Sequence, residues 1–327
     1  MNIIVASDSF KGTYSSTQIG ELVRRNLPMH DVRVVAVSDG GEGFCCAAAA
    51  ALSARLVQTE VHDPLMRTIN ASYCIAPDGM AVIEMAQASG LMLLNEQERN
   101  PWNATTYGTG ELIRHALSQG CRHIVVGLGG SATNDCGRGM LEALDGAEGL
   151  DDCEFVIASD VKNPLCGVDG ATYVFARQKG ADDEMLPRLE QRNLRLCRDL
   201  EQRTGRRLLD AEGAGAAGGT GAALLSLPHV TMCPGIDLML RWQHFEELIA
   251  DADIVITGEG CLDRQTLMGK APFGIAIRAS ERNVPCVALC GKVELSAADL
   301  ANSPFTNTMT LRDFMLNPAD IVELARL

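Results

Sequence analysis

The sequence has no long hydrophobic run, no excess of positive charge and no paired-cysteine motif. No apolar stretch of the 327 residues approaches the ~20 that a membrane-spanning helix needs, so no membrane partner is expected. The 28 Lys and Arg are outnumbered by 42 Asp and Glu, for a formal net charge of −14. That is the wrong sign for a nucleic-acid partner, whose phosphates call for a basic footprint. It leaves a small anionic substrate open, because backbone N–H groups and a few local cations hold an anion inside an acidic protein. The 12 cysteines are scattered and none shows C-x-x-C spacing. Zinc and redox motifs are therefore missing, and reduced thiols in the cytoplasm are expected. The 6 histidines stand alone, without H-x-H or H-E-x-x-H, and Gly-x-Ser-x-Gly is absent. These absences argue against zinc chemistry and a Ser–His–Asp triad. Met1–Ala6 reaches Asp8 at once and reads as a short buried strand, not a signal segment.

Hydrophobic residues make up 46% of the chain and charged residues 21%, as in an ordinary globular protein, and the length suggests about two domains. One unit recurs: a short apolar strand, a Gly- or Asp-rich turn, then a helical pattern. Strands of this kind are expected at Ile3–Ala6, Val32–Val37, His123–Val126, Phe155–Ala158, Ile254–Thr257 and Val287–Leu289. Such alternation predicts parallel sheets with helices on their faces. Arg55–Val61, Thr68–Ile75 and Ala81–Met85 are separated only by turns such as Pro77-Asp78-Gly79, which predicts antiparallel strands.

Ligands of open parallel sheets bind beyond the carboxyl ends of the strands. Those ends carry Asp8, Lys11, Asp39, Glu42, Ser131, Asn134, Asp135, Asp160, Asn163, Glu259 and Asp263. Gly127-Leu128-Gly129-Gly130-Ser131 follows a strand, and its glycines let backbone N–H groups crowd around an anion; a tight turn with a helix cap is the plainer alternative. The run also matches G-x-G-x-x-A, but no acidic residue clearly ends the next strand, which weakens a dinucleotide reading. Gly213–Gly221 is nearly all Gly and Ala, either a loop that permits close phosphate or backbone approach or a helix packed on a neighbouring backbone. Lys11 and Lys179 are candidate point charges for a carboxylate or phosphate, against the alternative of solvated lysines. Asp39 and Glu42 stand among glycines, suited to orienting a hydroxyl or to holding Mg²⁺ through water. Gly269-Lys270 fails as a P-loop, since Arg264 stands where its first glycine belongs.

Eight motifs together resemble, in order, those of the bacterial type I glycerate kinase family. They are Asp8-Ser9-Phe10-Lys11-Gly12, Asp39-Gly40-Gly41-Glu42-Gly43, Thr106-Tyr107-Gly108-Thr109-Gly110, Gly129-Gly130-Ser131-Ala132-Thr133-Asn134-Asp135, Asn163-Pro164-Leu165, Gln178-Lys179-Gly180-Ala181, Gly215-Ala216-Ala217-Gly218-Gly219 and Gly258-Glu259-Gly260. The resemblance implies two α/β domains, one flavodoxin-like with a parallel sheet and one with a mixed or antiparallel sheet, and a site in a cleft between them. With soft boundaries that can be discontinuous, the mixed domain is expected near residues 1–100 and the flavodoxin-like one near 101–327. It also implies ATP, Mg²⁺ and D-glycerate or a related small hydroxy acid, usually with 2-phosphoglycerate as product; a homodimer is left open.

Phosphoryl transfer requires mainly positioning and charge neutralisation. On that basis Gly129, Gly130, Ser131, Gly215, Gly218 and Gly219 are expected to offer donors to ATP phosphates. Asp135, Asp160 or Glu259 would hold Mg²⁺, Lys11 would neutralise substrate charge, and Asp39 or Asp8 would accept the hydroxyl proton. Ser9, Glu42, Asn134, Asn163 and Lys179 are expected to bind substrate. The chain departs from the family pattern twice: Leu144–Asp152 is a short acidic bridge where the family usually has tens more residues, and Cys261 replaces a frequent basic residue. The alternatives are a catalytically impaired binding homologue and, on the G-x-G-x-x-A match alone, an NAD-dependent oxidoreductase.

Overall fold

The structure, a computed structural model, describes residues 1–10 and 13–326. In chain order its strands are β1 (Asn2–Val5), β2 (Asp31–Val34), β3 (Arg55–His62), β4 (Thr68–Ile75), β5 (Ala81–Glu84), β6 (His123–Gly127) and β7 (Glu154–Ala158). They continue with β8 (Val230–Cys233), β9 (Ile254–Thr257), β10 (Cys261–Leu262), β11 (Cys286–Cys290), β12 (Lys292–Val293) and β13 (Asn307–Thr310). The chain divides into two compact units, Met1–Asp39 with Ile236–Leu327, and Gly40–Gly235.

The first unit holds a five-stranded sheet in the order β13-β11-β9-β1-β2. All its pairs are parallel. Counted along this unit alone, that is the 2-1-3-4-5 order of flavodoxin-like folds, with the switch point between β1 and β9. Strands covered on both faces read as continuous apolar runs, and β9 (Ile254–Thr257) is buried at every position. Ile3, Val5, Ile254, Ile256, Val287 and Leu289 form one face of the core with Ile19, Val23 and Phe314 from helices. The helix Ser16–Asn26 starts at Ser15, whose hydroxyl accepts from the Gln18 N–H while the Gln18 side chain bonds back to the Ser15 N–H. This capping box satisfies two donors that a helix end otherwise orphans.

The second unit is built on the six-stranded sheet β3-β4-β5-β6-β7-β8. β3, β4 and β5 run antiparallel, and β5 to β8 run parallel. A mixed sheet near residues 55–90 is thus as expected, but its unit is not residues 1–100. Residues 100 and 101 lie inside the second unit, and the flavodoxin-like sheet is assembled from the two chain ends. The cause is the parallel pairing of β1 with β9, Ile3 beside Ile254, across the whole intervening unit. An apolar strand pattern carries no label for so distant a partner.

The short acidic bridge closes with hydrogen-bonded turns. After the helix Arg138–Leu144, Ala147 N–H donates to the Leu144 carbonyl at 2.9 Å and Cys153 N–H to Leu150 at 3.3 Å. β7 then pairs on both sides, so the sheet is unbroken. Among the described residues, no helix is long and apolar enough to cross a membrane.

Candidate active site

In the second unit, two glycine motifs far apart in sequence stack backbone on backbone beyond the strand ends. Gly129 N–H donates to the Gly40 carbonyl at 3.0 Å. A Cβ on Gly129 would lie 2.3 Å from the Gly41 Cα, and one on Gly127 would lie 2.6 Å from the Gly40 oxygen. Only glycine permits that approach. Gly130, at φ +74°, forms the exposed crest of the loop. Glu42 and Asn163 belong to the same unit and are also reached by solvent, whereas both carboxylate oxygens of Asp160 are buried.

The inner side of this loop is polar and closed. Lys179 is only 3% exposed, and its Nζ donates to Ser131 Oγ at 2.8 Å and to the Thr133 carbonyl at 2.7 Å. Burial lowers the Lys179 amine to about 7, opposed by the charge of Asp135. Asn134 is buried, its Nδ2 donating to Thr172 Oγ1 at 3.2 Å. Asp135 accepts from the Thr106 N–H and hydroxyl, each at 2.9 Å, and from the N–H groups of Gly137 and Gly139, each at 3.2 Å. Lys179 and Asn134, expected to bind substrate, therefore face the interior and hold the loop. A polar motif does not reveal which side of a loop its side chains take.

Gly215, Gly218 and Gly219 are buried. Ala217, Gly218 and Gly219 form a left-handed turn, with φ of 52°, 66° and 96°. A Cβ on Gly218 would lie 2.1 Å from the Thr133 carbonyl, and one on Gly215 2.2 Å from the Pro164 carbonyl. Cys136 N–H donates to Gly218 O at 3.0 Å. These glycines pack closely on the backbone of the Thr133–Cys136 segment and of Pro164.

In the first unit the switch point carries its own polar cluster. Asp8 N–H donates to the Gly258 carbonyl at 2.8 Å, joining the loops after β1 and β9. Ser7 Oγ donates to the same carbonyl at 3.1 Å. The Asp8 carboxylate accepts from Ser9 N–H at 2.7 Å. Glu259 accepts from Thr266 Oγ1, and Lys270 Nζ lies 3.4 Å from Glu259 and 3.6 Å from Asp263. Burial raises the Glu259 carboxyl above its usual range, against the Thr266 bond and the Lys270 charge. Asp39 ends the segment after β2 and is partly exposed. Lys11 lies outside the described residues.

The profile of the glycerate kinase family matches residues 3–152 and 145–326, two segments that meet at the short bridge. The chain belongs to the glycerate kinase family. A glycerate kinase of Bacillus subtilis is 40% identical over 326 residues, 90% of this chain and 85% of that protein. The glycerate 2-kinase of Escherichia coli is 37% identical over 90% of this chain and 86% of its own length. A crystal structure from Salmonella typhimurium, provisionally assigned as glycerate kinase 2, has a TM-score of 0.78 and 36% identity, covering 100% of this chain and 96% of that one.

Two groups in this glycerate kinase family member escaped the reading of its sequence. Glu84 ends β5, beside Gly127 in register, and is 1% exposed. It accepts from Cys45 N–H at 3.1 Å and from Gln87 Nε2 at 3.3 Å, anchoring the helix that follows the Asp39–Gly43 motif. Its burial raises the carboxyl above its ordinary range. The available signal was a lone acid closing an apolar strand. Lys270 is the other, and its rejection as a P-loop lysine hid its place beside Glu259.

The Mg²⁺ that kinase chemistry implies does not find a preformed cage here. Among the described residues no group of three His, Cys, Asp or Glu is placed to hold a metal. Both Asp135 oxygens are occupied by backbone and hydroxyl donors, and Glu259 is engaged by Thr266 and Lys270. Asp135 and Glu259 thus do not fit the role of open metal ligands.

Proposed function

We propose that this chain is a type I glycerate kinase that transfers the γ-phosphate of ATP to the 2-hydroxyl of D-glycerate. The observation that carries this reading is the glycine-lined crest at Gly129–Gly130 backed by a closed polar interior, within a chain of the glycerate kinase family. With the Gly129 N–H given to Gly40, the Gly130 N–H is the crest's donor for the triphosphate, because fixed donors lose little order when charge builds up during transfer. Lys270 supplies a cation to the β1–β9 rim, and Lys11 is assigned from its motif to the substrate carboxylate or the transferring phosphoryl group. Asp39 or Asp8 takes the hydroxyl proton. Mg²⁺ would arrive on the nucleotide phosphates, as is usual where a protein offers few open carboxylates. Twelve free thiols support a cytoplasmic setting.

The test is product identification by phosphorus NMR after incubation with ATP, Mg²⁺ and D-glycerate. Formation of 2-phosphoglycerate is expected, and 3-phosphoglycerate would move the acceptor to the other hydroxyl. The short bridge keeps a second reading in view, a homologue that binds nucleotide without turnover; binding with no phosphoglycerate at all would select it. Lys11→Ala and Asp39→Asn should each lower turnover by about a hundredfold.

A further inference from the structure

We propose that Lys179 is a positioning residue that holds the Gly127–Asp135 loop from within and takes up a proton when a nucleotide phosphate settles on the loop's outer face. The inference rests on the phosphate-binding reading of that loop. Lys179 is too buried to meet a ligand, and both of its hydrogen bonds go to the loop itself, at Ser131 and Thr133. Its backbone is fixed by the turn Arg177–Lys179, which ends at Gly180 with φ +98°. A Cβ on Gly180 would lie 2.2 Å from the Arg99 carbonyl, so the turn has no room to shift.

Two oxygens of the same loop are left without a donor. Thr133 Oγ1 and Asn134 Oδ1 are buried and have no hydrogen-bond partner among the described residues. A neutral amine has two N–H groups and both are used; the ammonium has a third. The charged groups facing the amine are few. Asp135 of the loop favours its protonation. Arg192, from the helix Met185–Thr204, is turned to the loop backbone, donating to the Asn134 carbonyl at 2.9 Å. Arg177, on the lysine's own turn, is bound to Asp183. A phosphate bringing negative charge to the far side of one loop thickness tips this balance toward the ammonium. By linkage, the protonated amine must in turn tighten phosphate binding. The proton comes from solvent, and no covalent bond changes.

Calorimetric titration of the full chain with Mg-ATP at pH 7.5, in buffers of different ionisation enthalpy, measures the proton. Wild type should take up about half a proton per nucleotide. Lys179→Arg, which carries a fixed charge, should bind Mg-ATP with no uptake. Lys179→Met should bind about tenfold or more weakly, also without uptake. If Lys179→Met does not fold, the wild-type and Lys179→Arg titrations decide the matter. Binding to wild type that is independent of buffer, or uptake that persists in Lys179→Arg, overturns the role of Lys179 and leaves the phosphate site standing. Failure of wild type to bind Mg-ATP overturns both.

Discussion

The two glycine-rich loops of the second unit look alike in sequence and differ in use. At Gly127–Ser131, backbone closes in on Gly127 and Gly129, from Gly40 and Gly41, while Gly130 is exposed and a Cβ there would meet only the Ala86 methyl, at 3.3 Å. At Gly213–Gly219 neighbouring backbone or side chains close in on Gly213, Gly215, Gly218 and Gly219 alike. A glycine run announces that a side chain is not tolerated; whether a ligand or another strand of backbone is the reason depends on what the fold brings alongside. The first loop presents an exposed crest, which suits the proposed phosphate site, and the second is buried against the backbone of Thr133.

Substitutions can break this contrast. Gly218→Ala should have the largest effect, ~3 kcal/mol or more of lost stability in urea unfolding, because its Cβ meets the Thr133 oxygen at 2.1 Å from a left-handed backbone. Replacing Thr106 by Val removes one hydroxyl bond from Asp135 and the one that Met140 N–H donates to the same hydroxyl. That should cost about 1–3 kcal/mol, read by the same unfolding curve. Gly130→Ala should lower stability by only ~1 kcal/mol, yet reduce kcat/KM for ATP more than tenfold. If the Gly130 and Gly218 substitutions proved equally destabilising, the distinction between surface and support would fall.

Lys179 sharpens the contrast through pH. Its amine lies near 7 when folded against 10.5 as the ordinary value. Between those limits the unfolded chain binds more protons, so stability from this group rises with pH. The wild-type melting temperature, measured relative to Lys179→Met, should therefore climb from pH 7 to 9; a flat difference would contradict the assignment. The smallest effect is expected at Ala217, which sits at φ 52° without being glycine. Ala217→Gly should stabilise by about 0.5–1 kcal/mol, visible as a modest rise in urea midpoint.

Much of this was legible before any coordinates. Uninterrupted runs such as Ile254–Thr257 announced buried parallel strands, and Pro77-Asp78-Gly79 marked an antiparallel turn. Four strands went unread: Val230–Cys233 lies at a sheet edge, Asn307–Thr310 is half polar, and Cys261–Leu262 and Lys292–Val293 are two residues each, so none shows a strong apolar pattern. The division into units was hidden because Ile3 finds Ile254 only in three dimensions. At the site, Ser131, Asn134, Asp135 and Lys179 were recognisable as a chemical group, but not as a scaffold. Glu84 carried no motif at all, since its importance comes from the helix N-terminus folded over it.

The acidic bridge between the helix Arg138–Leu144 and β7 has a practical consequence. Its residues 145, 146, 148, 151 and 152 are exposed, while the strand pairing on either side of β7 is complete without further chain. Exposed connections of that kind accept foreign sequence readily. An epitope or fluorescent reporter spliced after Gly146 would sit on a seam of the molecule, where the two segments that match the family overlap.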